Sequence, residues 1–300
     1  MSTSFPRISE WNAYDLEPQC RDLESARYAL LPLPYERTTT FGKGTREGPA
    51  AFLEASQQVE LYDVELGLSP YRAGIYGAPP LHFEDSEDIE RCLRRIHDAA
   101  AELLRRGKCV VAIGGEHTVS YPLIQAHRAV YPDLQVVQLD AHADLRDQYA
   151  GSPWNHACVM RRVHDLAPHV GIGIRSASEE EILWARQEGV ELFLAREVLR
   201  GEVPAASILG KIDAARPVYL TIDLDCLDPS QAPGVGTPEP GGFSWHDVLT
   251  IVEALVRQRR VVGLDVVELR PLPDSVTTQF LAAKLVYRII GLLERKKLGT

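Results

Sequence analysis

The chain of 300 residues is 45% hydrophobic and 25% charged, the balance of a globular protein that can bury a sizeable core within one large α/β domain. Its net charge of −10 excludes a surface that neutralises nucleic-acid phosphates, so we expect no nucleic-acid partner. The acidity would suit a cationic small molecule, although many proteins are acidic without binding one.

The N-terminal residues 1–14 contain Arg7 and Glu10 but no apolar run, so we expect no signal peptide there. Residues 1–27 carry no pattern that assigns them a role, and residues 28–300 are predicted to form one domain. The five cysteines are odd in number and include no Cys-x-x-Cys pair, which favours a reducing cytoplasm over a disulfide framework. The chain has no run of 18 apolar residues, so we expect no membrane span.

From residue 28 onwards, short apolar and β-branched runs alternate with longer helical patterns, which predicts βαβ units around a parallel sheet. The hydrophobicity of these runs is nearly continuous, as is typical of strands covered on both faces. The predicted strands are residues 28–33, 109–113, 135–139, 170–174, 218–224 and 261–267.

Three segments have clear helical patterns. The first follows Ser86 and can be closed by Gly107, and the second has Ser244 as its N-cap. Residues 229–242, rich in Pro and Gly, form a long loop within the domain, and loops of this length are often functional. The predicted helices are residues 89–104, 245–257 and 278–296.

Polar motifs follow three of the predicted strands. They are Gly114-Gly115-Glu116-His117, Asp140-Ala141-His142-Ala143-Asp144 and Asp223-Leu224-Asp225. Ligands of open α/β sheets bind at the carboxyl ends of the strands, so the three motifs indicate one shared site. Alternate residues of an extended segment share a face, which would let the two motifs rich in aspartate converge.

Four aspartates packed together require cations, because burying unpaired like charges costs several kcal/mol each. Two divalent ions would balance four carboxylates, and mixed imidazole and carboxylate ligands suit Mn²⁺. Each motif alone has an ordinary explanation, such as a hydrogen-bonded core histidine for His117 or an exposed turn for Asp223 and Asp225. All three motifs after buried strands favour a dinuclear metal site.

The chain resembles the ureohydrolases, the family of arginase, agmatinase and their relatives. The resemblance covers roughly residues 28 to 295. Its segments are Gly114-Gly-Glu-His-Thr118, Asp140-Ala-His-Ala-Asp144, Thr221-Ile-Asp-Leu-Asp-Cys-Leu-Asp-Pro229, Gly236-Thr-Pro-Glu-Pro-Gly-Gly242 and Gly263-Leu-Asp-Val-Val-Glu268. It implies an α/β fold of three layers, α/β/α, with a mostly parallel central sheet, two Mn²⁺ per chain and a homo-oligomer, a trimer or a hexamer.

The resemblance also implies the roles of individual residues. One ion would be held by His117, Asp140, Asp144 and Asp223, and the other by Asp140, His142, Asp223 and Asp225. In this family a metal-activated water attacks the guanidino carbon, and Asp144 would pass a proton to the departing amine. His156 would shuttle protons or contact substrate, and Glu268 would orient the guanidinium as a bidentate acceptor.

The substrate is indicated by two segments that arginases use to recognise the α-amino and α-carboxylate groups. Trp154 and Asn155 stand in the first segment, with Trp154 where arginases carry Asn, and serines 176 and 178 replace both acidic positions of the second. We therefore expect agmatine, converted to putrescine and urea in polyamine biosynthesis, with Trp154 and Asn155 in substrate binding. Agmatinases usually have Ser at the position of Asn155, so guanidinobutyrate, aminopropylagmatine and arginine stay open.

Three other classes of protein are alternatives to this interpretation. Deacetylase-like amidohydrolases share a related fold but use one zinc, and the complete Asp223 and Asp225 pair favours two metals. Metallophosphatases would show a Gly-Asn-His motif, which this chain lacks. A catalytically inactive binding or regulatory relative would have lost a metal ligand, and all six positions are filled here.

Overall fold

The computed structural model describes residues 11–299. Its centre is one sheet of eight strands, every neighbouring pair of which is parallel, in the order β2-β1-β3-β8-β7-β4-β5-β6. The strands are β1 Tyr28–Leu33, β2 Ile75–Gly77, β3 Cys109–Gly114, β4 Gln135–Leu139, β5 His169–Ile174, β6 Glu191–Leu194, β7 Pro217–Asp223 and β8 Arg260–Val267.

Helices cover both faces of this sheet. They are α1 Gly48–Ser56, α2 Ile89–Arg105, α3 Ser120–Val130, α4 Val159–His164, α5 Glu179–Glu188, α6 Ala195–Leu199, α7 Ala205–Gly210, α8 Trp245–Gln258 and α9 Thr277–Leu298. One core cluster joins α1, α7, α8 and α9 to one face, and the other joins α2 to α5 to the opposite face. Successive strand residues serve opposite clusters, as Leu30 and Leu31 do. The three-layer α/β/α prediction is confirmed.

The six predicted strands are all present, each within one residue of its predicted ends. The three predicted helices are also present, and Ser244 caps α8 in a reciprocal box with Asp247. The two outer strands of the sheet, β2 and β6, were not predicted. No helix within residues 11–299 combines the length and the apolar character needed to cross a bilayer.

The chain before β1 packs into the core as far as it is described. Trp11 stacks on Phe52 with ring centroids 6.0 Å apart, and the Tyr14 hydroxyl donates to the Ala283 carbonyl at 3.0 Å. The segment 11–27, which the sequence left without a role, thus fastens α1 to α9. Residues 1–10, included in the signal-peptide prediction, lie outside the described residues.

The strand register brings four strand ends to one level. Ile113 of β3 pairs with Val266 of β8, Val267 of β8 with Asp223 of β7, and Ile222 of β7 with Leu139 of β4. These four strands are neighbours in the middle of the sheet. The residues that directly follow them therefore meet at one point of its carboxyl edge.

Candidate active site

His117 lies at the centre of a group of carboxylates at this edge. The turn after β3 places its Nδ1 atom 3.1 Å from an oxygen of Asp140, 3.1 Å from Asp144 and 3.4 Å from Asp223. All four side chains are buried. Nδ1 makes no hydrogen bond of good geometry within the described chain, so this buried nitrogen is left unsatisfied among the carboxylates.

A second group shares one aspartate with the first. The Nδ1 atom of His142 lies 2.9 Å from Asp225 and 3.7 Å from Asp140. The side-chain oxygens and nitrogens of His117, Asp140 and Asp223 lie close enough to bind one ion, as do those of Asp140, His142 and Asp225. The structure thus brings all six predicted ligands together, with Asp140 between the two groups.

The expectation that these residues converge because they alternate along extended segments is wrong in part. Asp144 has φ 54°, a left-handed conformation, so residues 140–144 are not extended throughout. β7 ends at Asp223, and Asp225 lies in a turn of 3₁₀ helix, where its backbone amide donates to the Asp223 side chain at 2.9 Å. Turns after the strands, rather than alternation along extended segments, aim these carboxylates at the site.

The charges of the site fit divalent cations. Burial and the Asp140 carboxylate raise the pKa of Asp144 to about 7, and burial with Asp225 and Asp140 raises the pKa of Asp223 well above its usual value. Burial lowers the pKa of His142, yet Asp225 and Asp140 raise it overall to about 12. Without metal ions, the site must therefore bind protons to offset its carboxylates. Divalent cations would balance the same negative charges.

Polar residues within the strands support the ligands. Gln138 of β4 donates to Asp140 at 2.7 Å, and the Thr221 hydroxyl of β7 lies 2.9 Å from His117 Nε2 and donates to Asp265 at 2.7 Å. None of these three residues was assigned a role in the site from the sequence. Each is a polar residue inside an otherwise apolar strand, a signal that could have identified them.

Glu268 and His156 lie beside the first group of ligands. Glu268 directly follows β8 with φ 62°, and its Oε1 accepts the His117 backbone amide at 2.7 Å. His156 Nδ1 is 3.8 Å from the same oxygen. Burial, together with His117 and His142, lowers the pKa of His156 to about 4, and its buried Nε2 has no hydrogen-bond partner within residues 11–299.

Asn155 and Trp154 have different surroundings. The buried Asn155 amide accepts the Ala157 backbone amide at 3.0 Å and donates to the Thr38 carbonyl at 3.5 Å, which fixes the turn that carries His156. Trp154 is half-buried and donates through its indole nitrogen to Glu90 at 3.3 Å. Asn155 therefore holds the loop, while the Trp154 ring is partly open to a ligand.

The two serines at the expected acidic positions serve the fold. The Ser178 hydroxyl accepts the Glu181 backbone amide and caps α5, and Ser176 pairs with His142 through a backbone bridge. Arg175 donates to backbone carbonyls, among them that of Asp225 at 2.7 Å. Neither serine supplies an anion for an α-ammonium group.

Comparisons with known proteins agree with this geometry. A model of the arginase family matches residues 26–291. The chain is 41% identical over 282 residues to an N(1)-aminopropylagmatine ureohydrolase of Synechocystis sp., covering 91% of this chain and 92% of that protein. It is 34% identical to an agmatinase of Pyrococcus horikoshii, covering 95% and 98%. Its structure is similar to that of the agmatine ureohydrolase of Thermoplasma volcanium, with a TM-score of 0.84, 30% identity and coverage of 93% and 94%.

Proposed function

This chain belongs to the arginase family, and from that membership we propose that it hydrolyses agmatine to putrescine and urea. The activity is that of a ureohydrolase acting on guanidino compounds. The observation that carries the proposal is the pair of three-ligand groups beside Glu268 and His156, with no carboxylate at positions 176 and 178. A site of this kind suits a guanidinium and offers no carboxylate at positions 176 and 178 to an α-ammonium group.

The proposed metal ions are two Mn²⁺ held by His117 with Asp140, Asp144 and Asp223, and by His142 with Asp140, Asp223 and Asp225. The unpaired Nδ1 of His117 and the raised pKa values of Asp144 and Asp223 support this assignment. Such ions lower the pKa of water and stabilise negative charge on oxygen.

The side chains around the ligands have separate tasks in the reaction. Glu268 accepts N–H groups of the guanidinium and holds its carbon above the ligand groups. When the oxygen of water adds to that carbon, Asp144 takes the released proton and gives it to the amine nitrogen. The C–N bond then breaks, and urea and the amine leave. His156, neutral at pH 7, is placed to pass the proton between the site and solvent.

N(1)-aminopropylagmatine is the second candidate substrate. The relative from Synechocystis named for it is 41% identical to this chain, against 34% for the Pyrococcus agmatinase. Urea release should be measured with Mn²⁺-loaded enzyme over agmatine, aminopropylagmatine, guanidinobutyrate and arginine. No urea from any of the four would contradict the proposed function.

The same proposal includes a cytoplasmic location for the protein. All five cysteines are free thiols in the structure, which supports a reducing cytoplasm. A trimer or a hexamer is expected from the family, and sedimentation equilibrium of the purified chain would test it.

A further inference from the structure

Glu90 and Trp154 form a contact at the rim of the site that the reaction above does not use. Glu90 lies in the first turn of α2, and its Oε1 accepts the indole N–H of Trp154 at 3.3 Å. The Trp154 ring also lies near that of Tyr121, with ring centroids 5.3 Å apart and an angle of 49° between the rings. Two aromatic rings and a carboxylate are thus joined in one place.

Glu90 forms no ion pair among the described residues, unlike Glu87 and Asp85. Glu87 pairs with Arg95 at 2.9 Å and Asp85 with Arg46 at 3.1 Å. Within residues 11–299, Glu90 is exposed and has no basic partner within 4.0 Å. Among the described residues, no ion pair therefore occupies this carboxylate at the rim.

The chain fixes this contact close to the guanidinium site. Trp154 precedes His156 by two residues, and two residues span at most about 7 Å. His156 Nδ1 is 3.8 Å from Glu268, and Asn155 between them is held by hydrogen bonds. Tyr121 follows His117 by one turn of helix. Through Trp154, Glu90 and Tyr121 therefore lie on the side of the site that carries His156.

We propose that Glu90, Trp154 and Tyr121 bind the distal ammonium groups of a guanidine longer than agmatine, an aminopropylated one. The inference rests on the proposed function. Agmatine ends in a single amine after a butyl chain. The aminopropyl extension turns that amine into a secondary ammonium, which the aromatic faces attract, and carries a primary ammonium on to the Glu90 carboxylate.

The test compares Glu90→Gln with Glu180→Gln in the Mn²⁺-loaded enzyme. Glu180 is also an exposed glutamate in the first turn of a helix, α5, so the control loses the same charge from an equivalent position. For Glu90→Gln, kcat/KM for aminopropylagmatine should fall about three- to tenfold, through a higher KM with kcat retained. Agmatine should change by less than about twofold, and the control should leave both substrates within about twofold.

Different outcomes would contradict the distal ammonium site and the proposed hydrolysis of guanidines. Equal effects of Glu90→Gln on both substrates, or no effect on either, would overturn the distal site while agmatine hydrolysis by the wild type upholds the proposed function. If the wild type released urea from neither guanidine, the proposed function itself would be wrong.

Discussion

The ring of His117 is held by Thr221, whose hydroxyl lies 2.9 Å from His117 Nε2 and donates to Asp265 at 2.7 Å. Since the hydroxyl hydrogen is directed to Asp265, its oxygen accepts the N–H of Nε2. This contact places the proton of His117 on Nε2 and leaves Nδ1 free to face Asp140. Thr221 thus decides which nitrogen of His117 would face a metal ion in the proposed site.

Replacing Thr221 by Val should weaken metal binding without unfolding the protein. Valine keeps the β-branched shape in β7 but leaves His117 Nε2 and Asp265 without their common partner. Loss of such a contact behind a ligand typically costs ten- to a hundredfold in metal affinity. Titration of the metal-free protein with Mn²⁺ measures this change. Thr221→Ser retains the hydroxyl and serves as the control, and equal affinity of both variants would contradict the role of Thr221.

Asp223 should be, with Asp140, the most sensitive of the proposed ligands, since the proposal assigns both residues to both ions. The wild type is expected to bind about two Mn²⁺ per chain, and Asp223→Asn should lose both metal and activity, because a bridging carboxylate serves two ions. Elemental analysis and urea release on the same samples give the result. Asp133→Asn, a change of an exposed aspartate after α3, should leave both unchanged. Full metal content with full activity in Asp223→Asn would refute the assignment.

Stability should depend on pH through a buried histidine that is not one of the proposed ligands. His127 of α3 is fully buried against Tyr219, and burial lowers its pKa to about 4. The unfolded chain takes up a proton near pH 6.5, whereas the native protein does so only near pH 4, so stability is complete above pH 7 and falls between these values. Each pKa unit corresponds to about 1.4 kcal/mol, which gives a loss of up to about 3 kcal/mol.

Urea denaturation of the wild type and His127→Leu at pH 7.5, 6 and 5 would measure this dependence. The variant should lose less free energy of unfolding between pH 7.5 and pH 5 than the wild type. Some slope should remain, because burial also lowers the pKa of His169 to about 3. Parallel curves for the two proteins would show that His127 does not cause the acid sensitivity.

The central strands could be predicted from the sequence, whereas the edge strands could not. Strands such as β3 and β7 are buried on both faces and read as continuous apolar runs. β2 has three residues and β6 begins with Glu191, so neither has the length or the hydrophobicity of a central strand. Their pairing depends on the strand beside them.

The positions of the proposed metal ligands could likewise be predicted, but not the turns that direct their side chains towards the site. A polar residue directly after a strand lies at the sheet edge, whatever turn comes next. The place of Asp140 could therefore be predicted from its position after β4. The left-handed backbone of Asp144 and Glu268 is imposed by tertiary contacts, such as the bond from the Glu268 amide to the Gly115 carbonyl at 2.7 Å. Neither an aspartate nor a glutamate in the sequence predicts a left-handed backbone.

Agmatine should be preferred to arginine by at least about tenfold in kcat/KM, or about 1.4 kcal/mol of transition-state discrimination. The Ser178 hydroxyl caps α5 and Ser176 carries no charge, so the α-ammonium of arginine would lack an anionic partner. Urea release with both substrates at equal Mn²⁺ loading provides the ratio. Arginine as the better substrate would show that this pocket is interpreted wrongly.

Glu268→Gln should impair catalysis while sparing the metal ligands. In the wild type, Oε1 accepts the His117 backbone amide at 2.7 Å, and a glutamine oxygen can keep that bond. The new amide group would then present N–H donors to the guanidinium, which itself offers only donors. Hydrogen bonds between charged partners contribute about 1.5–3 kcal/mol, so kcat/KM should fall ten- to a hundredfold or more.

Metal stoichiometry, thermal stability and urea release should be measured together on Glu268→Gln. Mn²⁺ content and stability are expected near the wild-type values, because the ligands are unchanged and the two side chains have nearly the same volume. Wild-type turnover would make Glu268 a structural residue that only anchors the His117 amide. Loss of metal would instead place Glu268 among the ligands, and the guanidinium would then need another acceptor.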